Sequence, residues 1–218
     1  MQRQYSIFQV IILILSIIAV DYCLLWNFHY LQISPYPNNE IYILAASYGV
    51  ILIVSAIVTK STKPQTIHLV MGFKQTSSKA IMVALLIGIL LWVSDYLYQM
   101  YLLQNSLFLE AKEWTSNHPN QLITFISMVI FAPVIEEIVL RGILLHSLTR
   151  YMNKFLATIM VSIIFTLLHD SYVQWPTLFI ASALYCWLTL HSKSIVPAIV
   201  AHILNNAFTF ILYKLLII

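Results

Sequence analysis

Long apolar stretches alternate with short polar ones along the whole chain. A bilayer-crossing helix needs roughly 20 mainly apolar residues. Seven segments predict such helices: Ile7–Trp26, Ile41–Val58, Ala80–Leu103, Gln121–Leu145, Phe155–Leu168, Pro176–Leu190 and Ile195–Leu216. The fifth and sixth are short, so a tilted, broken or re-entrant course is open for each. The first is long and lacks a small-x-small cleavage site, so it reads as a retained helix rather than a secretory signal. The predicted fold is all-α: a polytopic transmembrane helical bundle of about seven spans. Residues 1–118 supply N-terminal helices and loops, and residues 119–214 form the part that carries the chemistry.

Composition agrees with this pattern. Of 218 residues, 61% are hydrophobic and 9% charged, against about 25% charged in an ordinary soluble domain. Charge then orients the chain, because basic residues gather in cytoplasmic loops. With the N-terminus in the cytoplasm, Arg3, Lys60, Lys63, Lys74, Lys79, Arg150, Lys154 and Lys193 all fall inside. Only Lys112 and Lys214 fall outside, and Arg141 lies within the membrane. The expected location is therefore the cell membrane, multi-pass. The net charge of +3 is spread between spans and gives no nucleic-acid footprint. Cys23 and Cys186 lie in separate apolar segments and read as packed small hydrophobes. No oligomeric state follows from these residues.

Several polar residues interrupt the apolar runs: Asp21, Asp95, Glu136, Glu137, Arg141, His169, Asp170, His202, Asn205 and Asn206. A charge at the bilayer centre costs roughly 2.5–3.5 kcal/mol on insertion scales, so such residues face the bundle interior and are functional candidates. In FAPVIEEIVLRGIL (Phe131–Leu144), Glu137 and Arg141 are four residues apart and share one helix face. They are placed for a salt bridge. Glu136 points elsewhere and has no partner on its own helix, which suits a general base. Pro133 frees a backbone carbonyl and can kink the helix. Taken alone, the three charges fit a buried structural ion-pair network equally well.

Two further stretches add to this. In FTLLHD, His169 ends the fifth segment with Phe165 one turn earlier on the same face. In VPAIVAHILNNAF, His202 and Asn206 share a face and could jointly donate to a developing oxyanion. Alone, each could equally be interhelical hydrogen-bond glue. Together, one glutamate, two histidines and an asparagine from three helices suffice for amide hydrolysis. At ~1.5 Å per residue, Glu136 and His202 lie about 10–14 Å below the cytoplasmic helix ends and His169 about 20 Å. Either the fifth helix begins later or tilts, or one of its boundaries is misplaced.

The ordered set EEIVLR (Glu136, Glu137, Arg141), FTLLH (Phe165, His169) and HILNN (His202, Asn206) resembles the CPBP intramembrane proteases. This is the CAAX protease and bacteriocin-processing, or Abi, family. The resemblance covers roughly Gln121 to Tyr213. It implies a CAAX-protease-like core and an intramembrane endopeptidase acting on a peptide or protein substrate in the lipid bilayer. It implies that Glu136 activates water with help from His169, that His202 and Asn206 stabilise the oxyanion, and that Glu137 and Arg141 support Glu136. The same resemblance leaves the cofactor as none or zinc. Glu136, His169 and His202 could hold zinc with water in the open position. A metal-free glutamate mechanism uses the same residues, and we favour it.

Small members of this family suggest bacteriocin self-immunity or peptide processing. Two other classes compete. A non-catalytic immunity or binding protein would keep the polar cluster as scaffold. A small transporter would draw Asp21 and Asp95 into a polar path, although no inverted repeat is legible.

Overall fold

The structure is a computed structural model that describes residues 72–103, 121–169 and 171–216, with isolated positions at 11, 12, 15 and 112. The first two predicted spans, Asp21, Cys23 and Asp170 lie outside the described residues. Among the described residues every regular element is helical. The helices are α1 (Ser78–Leu103), α2 (Gln121–Leu148), α3 (Lys154–Leu167), α4 (Trp175–Ser192) and α5 (Val196–Leu215).

The ends of these helices follow local chemistry. Asn153 caps α3, its side chain accepting from the Leu156 N–H at 2.8 Å, as N-cap asparagines do. Pro176 and Pro197 sit in the first turns of α4 and α5, where a missing N–H costs nothing. Lys193 ends α4 in the left-handed region, with φ 58°.

Four helices are long and apolar enough to cross a membrane: Ser78–Leu102, Gln121–Leu148, Tyr172–Ser192 and Val196–Leu215. These answer to the third, fourth, sixth and seventh predicted segments. The fifth differs. It is α3, with only 14 residues, or about 21 Å of helix against a hydrocarbon core of ~30 Å. A short 3-10 turn at Tyr172–Gln174 precedes α4. The predicted segment, Phe155–Leu168, has 14 residues with a tilted, broken or re-entrant course open, and α3 has that length shifted by one residue. It ends just before His169, where the apolar run ends.

The outward face is apolar. On α1, Met82, Leu86, Leu90, Leu97 and Tyr101 are all exposed, the reverse of a helix packed in water. Inside, α1 meets α5 along small residues. Ala84, Ala198 and Ala201 are fully buried, as is usual where membrane helices approach closely. Gly88 permits that approach, since a Cβ there would lie 2.8 Å from the Ala201 carbonyl oxygen. The contact is one residue away from His202. At the other end, Ile195 N–H donates to the Gly72 carbonyl at 3.0 Å and the Ser194 hydroxyl donates to the Lys74 carbonyl at 2.8 Å. These bonds pin the segment before α1 to the α4–α5 turn.

Candidate active site

The backbone of α2 is not uniform. Two π-helical stretches, Ile126–Phe131 and Glu137–Leu145, flank a short α-helical piece, Ala132–Glu136. Wide turns of this kind are rare and frequent at functional sites. Pro133 explains part of the pattern. The Ala132 N–H bonds back to the Ser127 carbonyl, and Pro133 has no N–H to offer. The Met128 carbonyl therefore lacks a donor within the helix. Asn206 of α5 supplies one, its Nδ2 donating to Met128 O at 3.0 Å. One proline thus couples the backbone of α2 to an amide on another helix.

Four residues further on lies the buried charge. Glu137 and Arg141 are both fully buried, and Arg141 Nη1 meets Glu137 Oε1 at 2.9 Å. The predicted pair is present. Arg141 Nη2 also donates to the Ser182 hydroxyl at 2.8 Å and to the Ser182 carbonyl at 3.2 Å. The same Glu137 oxygen lies 2.9 Å from His202 Nδ1. Glu137 is therefore committed from two sides, which offsets the cost of burying a carboxylate.

Glu136 is different. Its side chain keeps 27% of its accessible surface, and its Oε2 lies 3.8 Å from His202 Nε2. That distance permits electrostatic attraction and is too long for a direct hydrogen bond. The two nitrogens of one imidazole thus face two adjacent carboxylates, one committed and one free. The accessible carboxylate is the one the sequence singles out.

His169 reaches this group through a ring. Its Nδ1 lies 2.8 Å from the Phe165 carbonyl, which leaves Nε2 as the outward nitrogen. Its ring packs on Phe165 at 4.6 Å between centroids. Phe165 in turn meets the His202 ring at 5.8 Å, and Arg141 Cζ lies 5.0 Å from its centroid. The Trp175 indole donates to the His169 carbonyl at 3.1 Å and holds the turn. These contacts put Phe165 at the level of His202 and Arg141, and His169 one turn beyond. No hydrogen bond or ion pair joins His169 to Glu136 among the described residues. Nor, among those residues, do three histidine, cysteine, aspartate or glutamate side chains converge to hold a metal ion. The set Glu136, His169 and His202 does not form a zinc cage as arranged here, and no step below passes through a metal.

Two participants were missed from sequence. Ser182 binds Arg141, and Tyr185 stacks on His202 at 4.8 Å with 21° between planes. Both lie on α4, an apolar segment without charged residues, and their three-residue spacing on one face was the available signal. Asp95 belongs to a separate cluster. Its Oδ1 accepts from the Thr177 hydroxyl at 2.6 Å and its Oδ2 from Gln99 Nε2 at 2.7 Å. Cys186 is fully buried in the core and is also a hydrogen-bond partner of Arg141.

Residues 118–208 match the family model described as type II CAAX prenyl endopeptidase Rce1-like. This segment, which contains the glutamates, the arginine, both histidines and Asn206, is similar to the CPBP family. No curated protein matches the chain, and no solved structure matches it.

Proposed function

We propose that this protein is an intramembrane endopeptidase in which Glu136 activates a water molecule for attack on a peptide carbonyl. One observation carries the reading. Of two adjacent carboxylates, Glu137 is buried and committed to Arg141 and His202, while Glu136 stays accessible beside His202 Nε2. The similarity of residues 118–208 to the type II CAAX prenyl endopeptidase family supports a protease with a peptide or protein substrate.

The reaction needs a base at the water and donors at the carbonyl oxygen. Glu136 takes the water proton and passes it to the leaving amine, with His169 assisting. His202 stabilises the oxyanion through Nε2–H when its ring carries both protons, the Nδ1–H being held by Glu137. Asn206 has two amide hydrogens. One is given to Met128 O, and the second is the remaining donor. Arg141, itself held by Ser182, holds Glu137, and through it His202. Glutamate chemistry of this kind needs no metal ligand beyond these groups.

The catalytic unit in this reading is residues 119–214, in a cell-membrane protein with a cytoplasmic N-terminus. Bacteriocin self-immunity or peptide processing is the physiological role we favour. The test uses the purified full chain in proteoliposomes with a farnesylated CAAX peptide and a pool of unprenylated hydrophobic peptides. New peptide termini are read by mass spectrometry. Termini formed by the wild type and absent with Glu136→Gln support the proposal. Equal product from both proteins, or none from any peptide, removes it in favour of a non-catalytic immunity or binding protein.

A further inference from the structure

Two constraints hold an imidazole in place. A hydrogen bond at one nitrogen sets its direction, and a packed face sets its plane. For His202 the first is the Nδ1 contact to Glu137 at 2.9 Å. The second comes from a residue outside the three motifs. The Tyr185 ring lies 4.8 Å from the His202 ring, close to parallel at 21°. Phe165 closes the edge at 72°. The Tyr185 ring also faces Arg141, whose Cζ is 5.3 Å from its centroid, a cation–π distance. One aromatic ring thus bears on both partners of Glu137.

The hydroxyl tells which part of Tyr185 matters. Tyr185 is 1% exposed, and its hydroxyl has no hydrogen-bond partner among the described residues. An unpartnered buried hydroxyl is unfavourable, so the favourable contribution comes from the ring. We propose that Tyr185 is a positioning residue whose ring sets the plane of the His202 imidazole and so directs Nε2 towards Glu136. Its kinetic consequence rests on the endopeptidase reading, whereas the contact itself can be tested without it.

The experiment has two arms on the full chain. In the first, histidine is isotope-labelled and the protein is held in detergent micelles. The His202 Hε1 signal is assigned by its loss in His202→Gln. A ring stacked on the imidazole shifts this signal upfield. Tyr185→Phe should keep the shift and Tyr185→Leu should release it, with Tyr185→Met serving if the leucine variant does not insert. A signal that stays in place without the ring overturns the proposal.

The second arm measures cleavage of the farnesylated CAAX peptide. Tyr185→Phe should leave kcat within about twofold. Tyr185→Leu should lower kcat on the order of 10- to 100-fold while KM moves less than about threefold, the mark of a misaligned group rather than a lost binding contact. Equal losses in the phenylalanine and leucine variants would make the hydroxyl the working group and sink the proposal, as would an unchanged leucine variant. A wild-type chain that cleaves nothing, with the Hε1 shifts as expected, removes the endopeptidase reading and leaves the positioning contact standing.

Discussion

Two polar clusters sit in the apolar bundle, and they solve the same problem in opposite ways. Between α1 and α4, Asp95 uses one oxygen to accept from Thr177 and the other to accept from Gln99. Among the described residues no cation takes part, and the carboxylate is closed at both oxygens. On α2, Glu137 is held by a full countercharge, Arg141, and by His202, yet its second oxygen has no hydrogen-bond partner and its neighbour Glu136 is accessible. A closed cluster joins helices. A cluster that holds one carboxylate firmly and leaves its neighbour accessible is the arrangement the proposed general base requires.

The largest expected effect tests that contrast directly. Glu136→Gln keeps the shape and removes the base. Peptide cleavage should fall by about 10²- to 10⁴-fold, the usual contribution of a general base. Thermal stability in micelles should stay close to wild type, because Glu136 is partly exposed and makes no close pair. A large drop in melting temperature would instead place Glu136 with the scaffold.

Arg141→Met should act the other way round. It strips Glu137 of its countercharge in a fully buried position, and breaking such a pair costs about 3–5 kcal/mol. The melting temperature should fall sharply, and activity should fall with it because Glu137 no longer orients His202. Unchanged stability would mean that Glu137 is held well enough by His202 alone.

The two clusters also differ in how much the sequence discloses. Glu137 and Arg141 are four residues apart on one helix, and the pair could be read from spacing. The reading of Glu136 as the free carboxylate rested on the same periodicity. Ser182 and Tyr185 were hidden because nothing in an apolar helix marks the face that meets another helix's charge. The π-helical turns of α2 were also hidden, although Pro133 pointed to a disturbed backbone. The long spans were legible from hydropathy alone. The fifth segment was legible in place and length, while hydropathy alone left its course open; α3 buries Val161 and Phe165 in the core and leaves Phe155 and Ile163 exposed.

Asn206 gives an intermediate effect and separates two roles. Asn206→Ala should remove an oxyanion donor, a loss of about 10²- to 10³-fold in kcat. It should also orphan the Met128 carbonyl at a cost of about 1 kcal/mol. Adding Pro133→Ala restores a backbone N–H to α2. The double variant should recover stability relative to Asn206→Ala alone and should not recover kcat. Such non-additivity in stability alone, measured by a double-mutant cycle, would separate the backbone role of Asn206 from its chemical one. Recovery of both quantities would mean that Asn206 acts only by holding α2.

The smallest effect belongs to Asp95→Asn. The new side chain keeps one carbonyl oxygen for Thr177 and gains an amide where Gln99 Nε2 now donates. Two donors would then face each other. Gln99 can relieve this, since its Oε1 is buried without a hydrogen-bond partner and a half-turn of the amide presents it to the new donor. Thr177 loses little, because its hydroxyl also lies 2.9 Å from the Gln174 carbonyl. Stability should change by less than about 1 kcal/mol, within the range of exchanging one neutral hydrogen bond for another, and peptide cleavage should hold within about twofold. Asp95→Leu, which leaves Gln99 and Thr177 facing an apolar group, should cost more than Asp95→Asn in melting temperature. A transporter predicts the reverse order: Asp95→Asn would abolish ion or substrate flux in liposomes while stability stayed the same. Loss of cleavage in Asp95→Asn at unchanged melting temperature would also break the contrast, because the carboxylate would then do more than join α1 to α4.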